Sequence, residues 1–414
     1  MKRRLGLLGL GGVAQKVLLQ TTKLDLPFKL YWVADSKRFV AKKNGRAFTK
    51  TEVYRLIDLK RHAPFRFEER CRKEIVECII YQFGKMASQA EFLREVASEL
   101  RHNWIILDTT SSKAEVDLKI AAASMGCLTY CTANKTPWAS YESSNKLYHE
   151  AERAKTLLGL NCTVGVWVDE METIPILTKA LKKGSIEILK RDNSSINFFL
   201  EETHKGRSAS AAFSALTCKG LLEPDATDLS VEIKDQVIKA NIVANIAGII
   251  LHTTPICNVE LSEAFSGSNP NSLKNIADWH RAGRRKSLYP ALLTKISIDA
   301  DRGVHSQVKF DDLPSSHSLA KDLHGRNAFS LEASPDAQFE WSFGTTKSAT
   351  RTTLYVGGGN ESRTAAKLLW ESKRAETLFK SCSQTKFCPL PILWGLAARD
   401  LHALRLENEL ASRV

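Results

Sequence analysis

No apolar run in this 414-residue chain approaches the length a helix needs to cross a bilayer, so a helical membrane protein is excluded and no membrane partner is expected. Cys-x-x-Cys pairs are also missing. The nine cysteines are odd in number and scattered, which argues against a disulfide framework and fits a reduced, cytoplasmic setting. None of the ten histidines stands at a familiar metal-binding spacing, so a zinc centre is not expected. There is no internal repeat and no low-complexity tract. A signal peptide is incomplete too. Met1 to Arg4 supplies the charge, but the apolar run from Leu5 is short and glycine-rich and lacks a small-residue cleavage site. That run reads as a first strand.

What is present is a composition able to fold. With 43% hydrophobic residues the chain can bury sizeable cores, and its length suggests two or three domains. The formal net charge is +13, and part of the excess is local: Lys37 to Lys73 holds 13 Lys and Arg against 4 Asp and Glu. Without arginine–glycine repeats or an evident recognition helix, this segment reads as a solvated basic face, and no nucleic acid is expected as a partner.

From Arg4 to about Tyr148 the pattern alternates between strand and helix. Leu5 to Gly9, Leu30 to Ala34, Trp104 to Asp108 and Cys127 to Thr132 read as strands, and Val13 to Thr21 and Lys113 to Met125 as helices; Val76 to Tyr81 is ambiguous. Such alternation argues for a parallel sheet covered by helices. After about residue 150 the pattern changes. Helices are expected at Tyr141 to Leu157, Ile174 to Lys182, Leu229 to Val243, Leu273 to Arg281 and Arg363 to Trp370. Ile186 to Leu189 and Ile196 to Leu200 read as short strands or as a strand and a helix start. A strand is expected at Leu293 to Ile298 within a turn-rich stretch, and strand-like alternation from Gln338 to Val356.

Gly9, Gly11, Gly12, Val13 and Ala14 fit Gly-x-Gly-x-x-(Gly/Ala) between a strand and a helix. The first glycine allows the turn, the second lets backbone approach a pyrophosphate, and the small last residue lets helix and strand pack closely. Dinucleotide binding is expected. Asp35, at the end of the next strand, is the candidate for the adenosine ribose, whereas Lys37 and Arg38 could bond a 2′-phosphate; NAD and NADP both stay open. Asp108, Thr109, Thr110, Ser111 and Ser112 follow a strand, where hydroxyls suit either cofactor contacts or a helix cap. Lys135 lies at the same edge one strand later. Further on, Asp235 and Lys239 are four apart on one helix face behind the carboxylate-rich stretch Glu223, Asp225 and Asp228. A lysine beside a carboxylate is either a surface ion pair or, once its pKa is moved, a proton donor or acceptor.

Taken in order, these motifs resemble the homoserine dehydrogenase family. The resemblance runs from Gly9–Ala14 through Asp108–Ser112, Ala133–Pro137, Thr163–Gly165, Asn193–Asn197 and Glu223–Asp225 with Asp235 and Lys239, to Gly357–Gly359 with Thr364 and Ala365, over roughly residues 4 to 370. It implies an enzyme that interconverts homoserine and aspartate 4-semialdehyde with NADP or NAD. Lys239 then exchanges the hydroxyl proton, Asp235 orients it, and Lys135 meets the reacting oxygen and the cofactor. Glu223 holds the substrate amino group with Asp228 nearby, and Ser195 lines the pocket. Gly358 closes on the cofactor, and the carbonyls of Val164 and Val166 match a monovalent-cation loop. The implied architecture is α/β: a Rossmann-type doubly wound parallel sheet plus a second α+β domain for catalysis and dimerisation.

The expected divisions are 1–150 for the dinucleotide-binding domain, 151–340 for the substrate and dimerisation domain, 341–370 for a segment returning to the cofactor domain, and 371–414 for a helical tail. A homodimer acting on a small molecule is expected, with neither an aspartokinase segment nor a regulatory domain. The chain departs from the family pattern at Val166 to Glu172, between Asp228 and Asp235, and at Leu221 and Ser194. All of these lie towards the substrate. They keep two alternatives open: a dehydrogenase of the same fold for another amino alcohol or semialdehyde, and a catalytically silent cofactor-binding protein.

Overall fold

The computed structural model describes residues 3–35, 37–82, 104–110, 122, 129–164, 170–222, 226–261, 265, 269–320, 327–341, 344–347, 351–356 and 361–384. Ser111, Val166, Glu223 and Gly358 lie outside the described residues, as does nearly all of the helix expected at Lys113 to Met125.

Seven strands form the first sheet: β1 (Arg3–Leu8), β2 (Phe28–Ala34), β3 (Arg38–Lys42), β4 (Cys78–Gln82), β5 (Trp104–Asp108), β6 (Thr129–Thr132) and β7 (Leu157–Gly159). Their order is β4-β3-β2-β1-β5-β6-β7. β1 pairs in parallel with both β2 and β5, and β6 and β7 continue the parallel run. The chain leaves β1 towards β2 and returns on β1's other flank as β5. That reversal of winding leaves a crevice at the carboxyl ends of β1 and β5, the place where open α/β sheets bind ligands. β3 and β4 add an antiparallel ribbon at the far edge. Val76 to Tyr81 thus resolves as a strand from Cys78, and the basic segment holds β3, α2 (Lys50–His62) and α3 (Phe67–Glu74).

Helix α1 (Gly12–Lys23) buries Ala14, Val17 and Leu18 against this sheet, and α4 (Tyr141–Ala154) leads into β7. The second half begins with α5 (Glu170–Ala180), β8 (Leu181–Lys183) and β9 (Ser185–Arg191). The helices α6 (Ser194–His204), α7 (Ala209–Cys218) and α8 (Ser230–Leu251) follow. Asn193 caps α6, its side chain accepting from Ile196 N, so Ile196 to Leu200 belong to a helix. Then come β10 (Ile256–Glu260), α9 (Leu273–Arg285), β11 (Leu288–Asp299), β12 (Gly303–Pro314), β13 (Asn327–Ala333), β14 (Gln338–Trp341), β15 (Gly344–Lys347), β16 (Arg351–Val356) and α10 (Glu361–Gln384). Six strands form the second sheet in the order β10-β12-β11-β9-β13-β16, while β15, β14 and β8 make a small third one. The turn between β11 and β12 is held by Asp299, whose Oδ1 accepts from the backbone N–H groups of Asp301 and Arg302.

Helix α8 joins the two halves. From Ala240 to Ile249, every residue but Asn241 is buried on all sides of the helix, as expected of a helix enclosed by protein. Asn245 Nδ2 donates to Trp138 O in the first half, and Gln236 Nε2 donates to Leu292 O and Thr294 Oγ1 on the second sheet. The expected division at 150 falls inside α4, and β7 still belongs to the first sheet. Likewise, α10 runs unbroken through the division at 370. It returns to the first half, where Ala365, Leu368 and Leu369 pack with Leu5, Val17 and Leu18 and Gln20 Nε2 donates to Ser362 O.

Candidate active site

The glycine turn opens at the end of β1. Gly9 has φ +90, in the left-handed region that favours glycine, and a Cβ there would lie 2.7 Å from Thr109 Oγ1. Gly9 N donates to Ala34 O and Thr109 N donates to Leu8 O, so the turn is tied to both neighbouring strands. Gly11 differs. A Cβ at Gly11 would meet nothing within 4 Å among the described residues, so its backbone borders open room there. The N-terminus of α1 that begins at Gly12 carries no side-chain cap and no acidic residue in its first turn. Open room beside uncapped N–H groups at a helix start suits a pyrophosphate. Val13, in that first turn, is half-buried.

Asp35 ends up engaged by its own surroundings. Its Oδ1 accepts from the backbone N–H groups of Lys37 and Arg38, and its Oδ2 accepts from Lys60 Nζ at 2.9 Å and lies 3.5 Å from Arg38 Nε. Burial pushes the Asp35 carboxyl up, but the Lys60 hydrogen bond, the Lys37 N–H and the charges of Lys60 and Arg38 outweigh it and hold the group below the carboxylate range. Lys60 and Arg38 both lie over the Phe67 ring. Elsewhere in the basic segment some charges are paired: Lys42 with Glu52, Arg55 and Arg70 with Glu74, and Arg72 with Glu68.

At the β5 edge the hydroxyls face inward. Thr109 Oγ1 donates to Leu8 O. Thr110 Oγ1 donates to Asp108 Oδ1 and accepts from Asn134 Nδ2. Asp108 is fully buried and also accepts from Thr110 N, Tyr130 OH and Thr132 Oγ1. This network braces the crevice floor and fixes the loop that carries Lys135.

Lys135, Asp235 and Lys239 meet. Lys135 Nζ lies 3.1 Å from Asp235 Oδ1, and Lys239 Nζ lies 2.7 Å from Asp235 Oδ2. One lysine comes from the loop after β6, while the other two residues come from successive turns of α8. Lys239 Nζ also donates to Asp192 O at 3.1 Å. Burial pushes the Asp235 carboxyl up, but the two ammonium charges more than reverse this and hold it far below the usual range. Burial pulls the Lys239 ammonium down, and the Asp235 and Asp192 carboxylates raise it beyond the ordinary lysine value. Lys239 is therefore held as a cation, and with Lys135 it flanks one carboxylate, an arrangement suited to an oxygen on which negative charge develops.

The other expected residues are placed as follows. Ser195 Oγ donates to Leu221 O at 2.6 Å, pinning the stretch two residues ahead of Glu223. Asp228 Oδ1 accepts from Ser230 N at the first residue of α8; the Ser230 side chain and this backbone bond lower its carboxyl pKa. Val164 is buried at the end of the short turn Asn161–Val164. Among the described residues, no group of three or more His, Cys, Asp or Glu side chains could hold a metal ion, and no helix is long and apolar enough to cross a membrane.

No family model and no curated protein matches this sequence. Solved structures do. A protein of unknown function from Candida auris superposes with a TM-score of 0.64 at 14% identity, covering 91% of this chain and 98% of that one. A hyperthermophilic archaeal homoserine dehydrogenase in complex with NADPH superposes at 0.58 and 17% identity, covering 94% and 100%. The homoserine dehydrogenase of Thermoplasma acidophilum superposes at 0.57 and 16%, covering 93% and 100%. The chain has the homoserine dehydrogenase fold. Within that fold, the sequence reading passed over three charged residues that the geometry brings forward: Lys60 against Asp35, and Lys190 and Asp192 behind Lys239. Lys60 was hidden in a basic helix. Lys190 and Asp192 share a strand-like i, i+2 spacing, which was their one sequence signal.

Proposed function

We propose that this chain is an NADP(H)-dependent homoserine dehydrogenase that interconverts homoserine and aspartate 4-semialdehyde in the cytoplasm, acting as a homodimer. The observation that carries the reading is the Lys135–Asp235–Lys239 constellation, assembled from distant parts of the chain and charged as carbonyl reduction requires. The fold shared with an archaeal enzyme bound to NADPH supports a nicotinamide cofactor, as does the fit of the glycine turn to a pyrophosphate. Bound there, that cofactor would exchange a hydride with the substrate carbon.

The chain's residues do the rest. In the reducing direction Lys239 donates its ammonium proton to the carbonyl oxygen, which becomes the alcohol, and is recharged from solvent; in the oxidising direction the ammonium first gives its proton to solvent, and the neutral amine then takes the hydroxyl proton. Lys135 supplies a second positive charge to the same oxygen, and Asp235 holds both cations in place. Glu223, by the family resemblance, holds the substrate amino group. Ser195 steadies the stretch leading to it through Leu221. Because the Asp35 carboxylate already binds Lys60 and two backbone N–H groups, a ribose diol finds few free acceptors there, whereas Lys37, Arg38 and Lys60 offer a 2′-phosphate its counter-charge. The deciding experiment compares homoserine oxidation with NADP and with NAD. Turnover favouring NADP is expected. If neither cofactor gives turnover while another amino alcohol does, the substrate assignment is wrong and the same-fold alternative stands.

A further inference from the structure

Behind Lys239 the ion chain continues into the protein. Lys190, the penultimate residue of β9, places its Nζ 2.7 Å from Asp192 Oδ2. Side-chain exposure falls from 34% at Lys135 and 29% at Asp235 to 14% at Lys239, then 5% at Asp192 and 0% at Lys190. The sequence of charges is thus Lys135, Asp235, Lys239, Asp192, Lys190, alternating in sign from the crevice inward. Residues 190 and 192 meet because alternate residues of an extended chain share a face. The link to Lys239 is direct: the Asp192 carbonyl accepts from Lys239 Nζ and also from Asn327 Nδ2 of β13.

A fully buried lysine is an expensive group, and an apolar residue of similar volume usually serves stability at least as well. Asp192 is also underused as a packing element, since its Oδ1 has no hydrogen-bond partner among the described residues. Its charge is therefore available to act on the neighbouring ammonium. We propose that Lys190 and Asp192 are a positioning pair, which clamps the Asp192 carbonyl onto Lys239 and sets how readily Lys239 releases its proton. The proposal rests on Lys239 being the proton-transfer group when it is read through the rate, but not when it is read through titration.

The charged groups facing Lys239 among the described residues are Asp235 on its own helix, Lys135 behind that carboxylate on the β6 loop, and Lys190 and Asp192 at the end of β9; β13 contributes only the neutral Asn327. Asp192 favours the ammonium and Lys190 opposes it. Opposite substitutions must then act in opposite directions. With isotope-labelled lysine and the Lys239 signal assigned by its loss in Lys239→Arg, Lys190→Met is expected to move the Lys239 titration upward. Asp192→Asn is expected to move it downward, each by about half to one pH unit, and the double variant falls between. Should Asp192→Asn fail to fold, Lys190→Met must still show the upward move. An unchanged Lys239 titration in folded Lys190→Met overturns the proposal. If the titration moves while the pH dependence of the rate does not, the positioning pair stands and the catalytic reading of Lys239 falls instead.

Discussion

Asp235 carries two cations at hydrogen-bonding distance, and that load sets both its chemistry and its effect on stability. Its folded carboxyl lies below the ordinary value of about 3.9, so its contribution is present above that value and is lost as the pH falls towards the folded one. Unfolding midpoints followed below about pH 4 should therefore fall more steeply in the wild type than in Asp235→Asn. Lys60 makes a second residue-scale prediction. Lys60→Met removes a charge from the expected 2′-phosphate site and one of the partners of the Asp35 carboxylate, so the ratio of NADPH to NADH affinity should drop about tenfold or more in a fluorescence titration. The pairing of Asp235 with Lys239 was legible in the sequence because four residues make one helical turn. Their meeting with Lys135 was legible only through the family resemblance, since spacing says nothing about residues a hundred positions apart. Lys190 left only its i, i+2 spacing to Asp192 as a mark, because a charge at a strand end normally reads as solvated.

At the scale of elements, the strand–turn–helix at Gly9 to Val13 was readable because a positive φ at Gly9 and the change from period two to period 3.6 leave local marks. Its two glycines predict different phenotypes. Gly9→Ala puts a Cβ against Thr109 in a backbone conformation alanine resists, so it should cost about 1–3 kcal/mol of stability. Gly11→Ala meets no neighbour among the described residues, so thermal stability should hold while cofactor affinity falls. Equal losses of stability in both variants would contradict the assignment of Gly11 to the ligand side. The strands β3 and β12 were missed for physical reasons. β3 sits at the head of a cationic segment, and β12 alternates polar and apolar residues inside a turn-rich composition, while its stability comes from pairing with β10 and β11.

Over the whole molecule, the sequence pattern changes near residue 150 and the structure holds a mainly parallel sheet before a mainly antiparallel one, but periodicity does not tell which body a helix packs on. Hence α4 crosses one expected division and α10 the other. Helix α8 packs the halves into one core: Ile242, Val243 and Ile246 lie together with Leu8 and Trp32 of the first sheet and Ile188 and Ile296 of the second. Calorimetry should accordingly give one unfolding transition, moved upward by NADPH, rather than two resolved ones.

The central claim is that Lys239 transfers the proton. It is tested most directly by comparing wild type and Lys239→Met for homoserine oxidation at saturating NADP, with NADPH binding measured alongside. The account predicts a loss in kcat of about 10²–10⁴-fold with cofactor affinity retained. A variant that binds NADPH and turns over homoserine at the wild-type rate would contradict it.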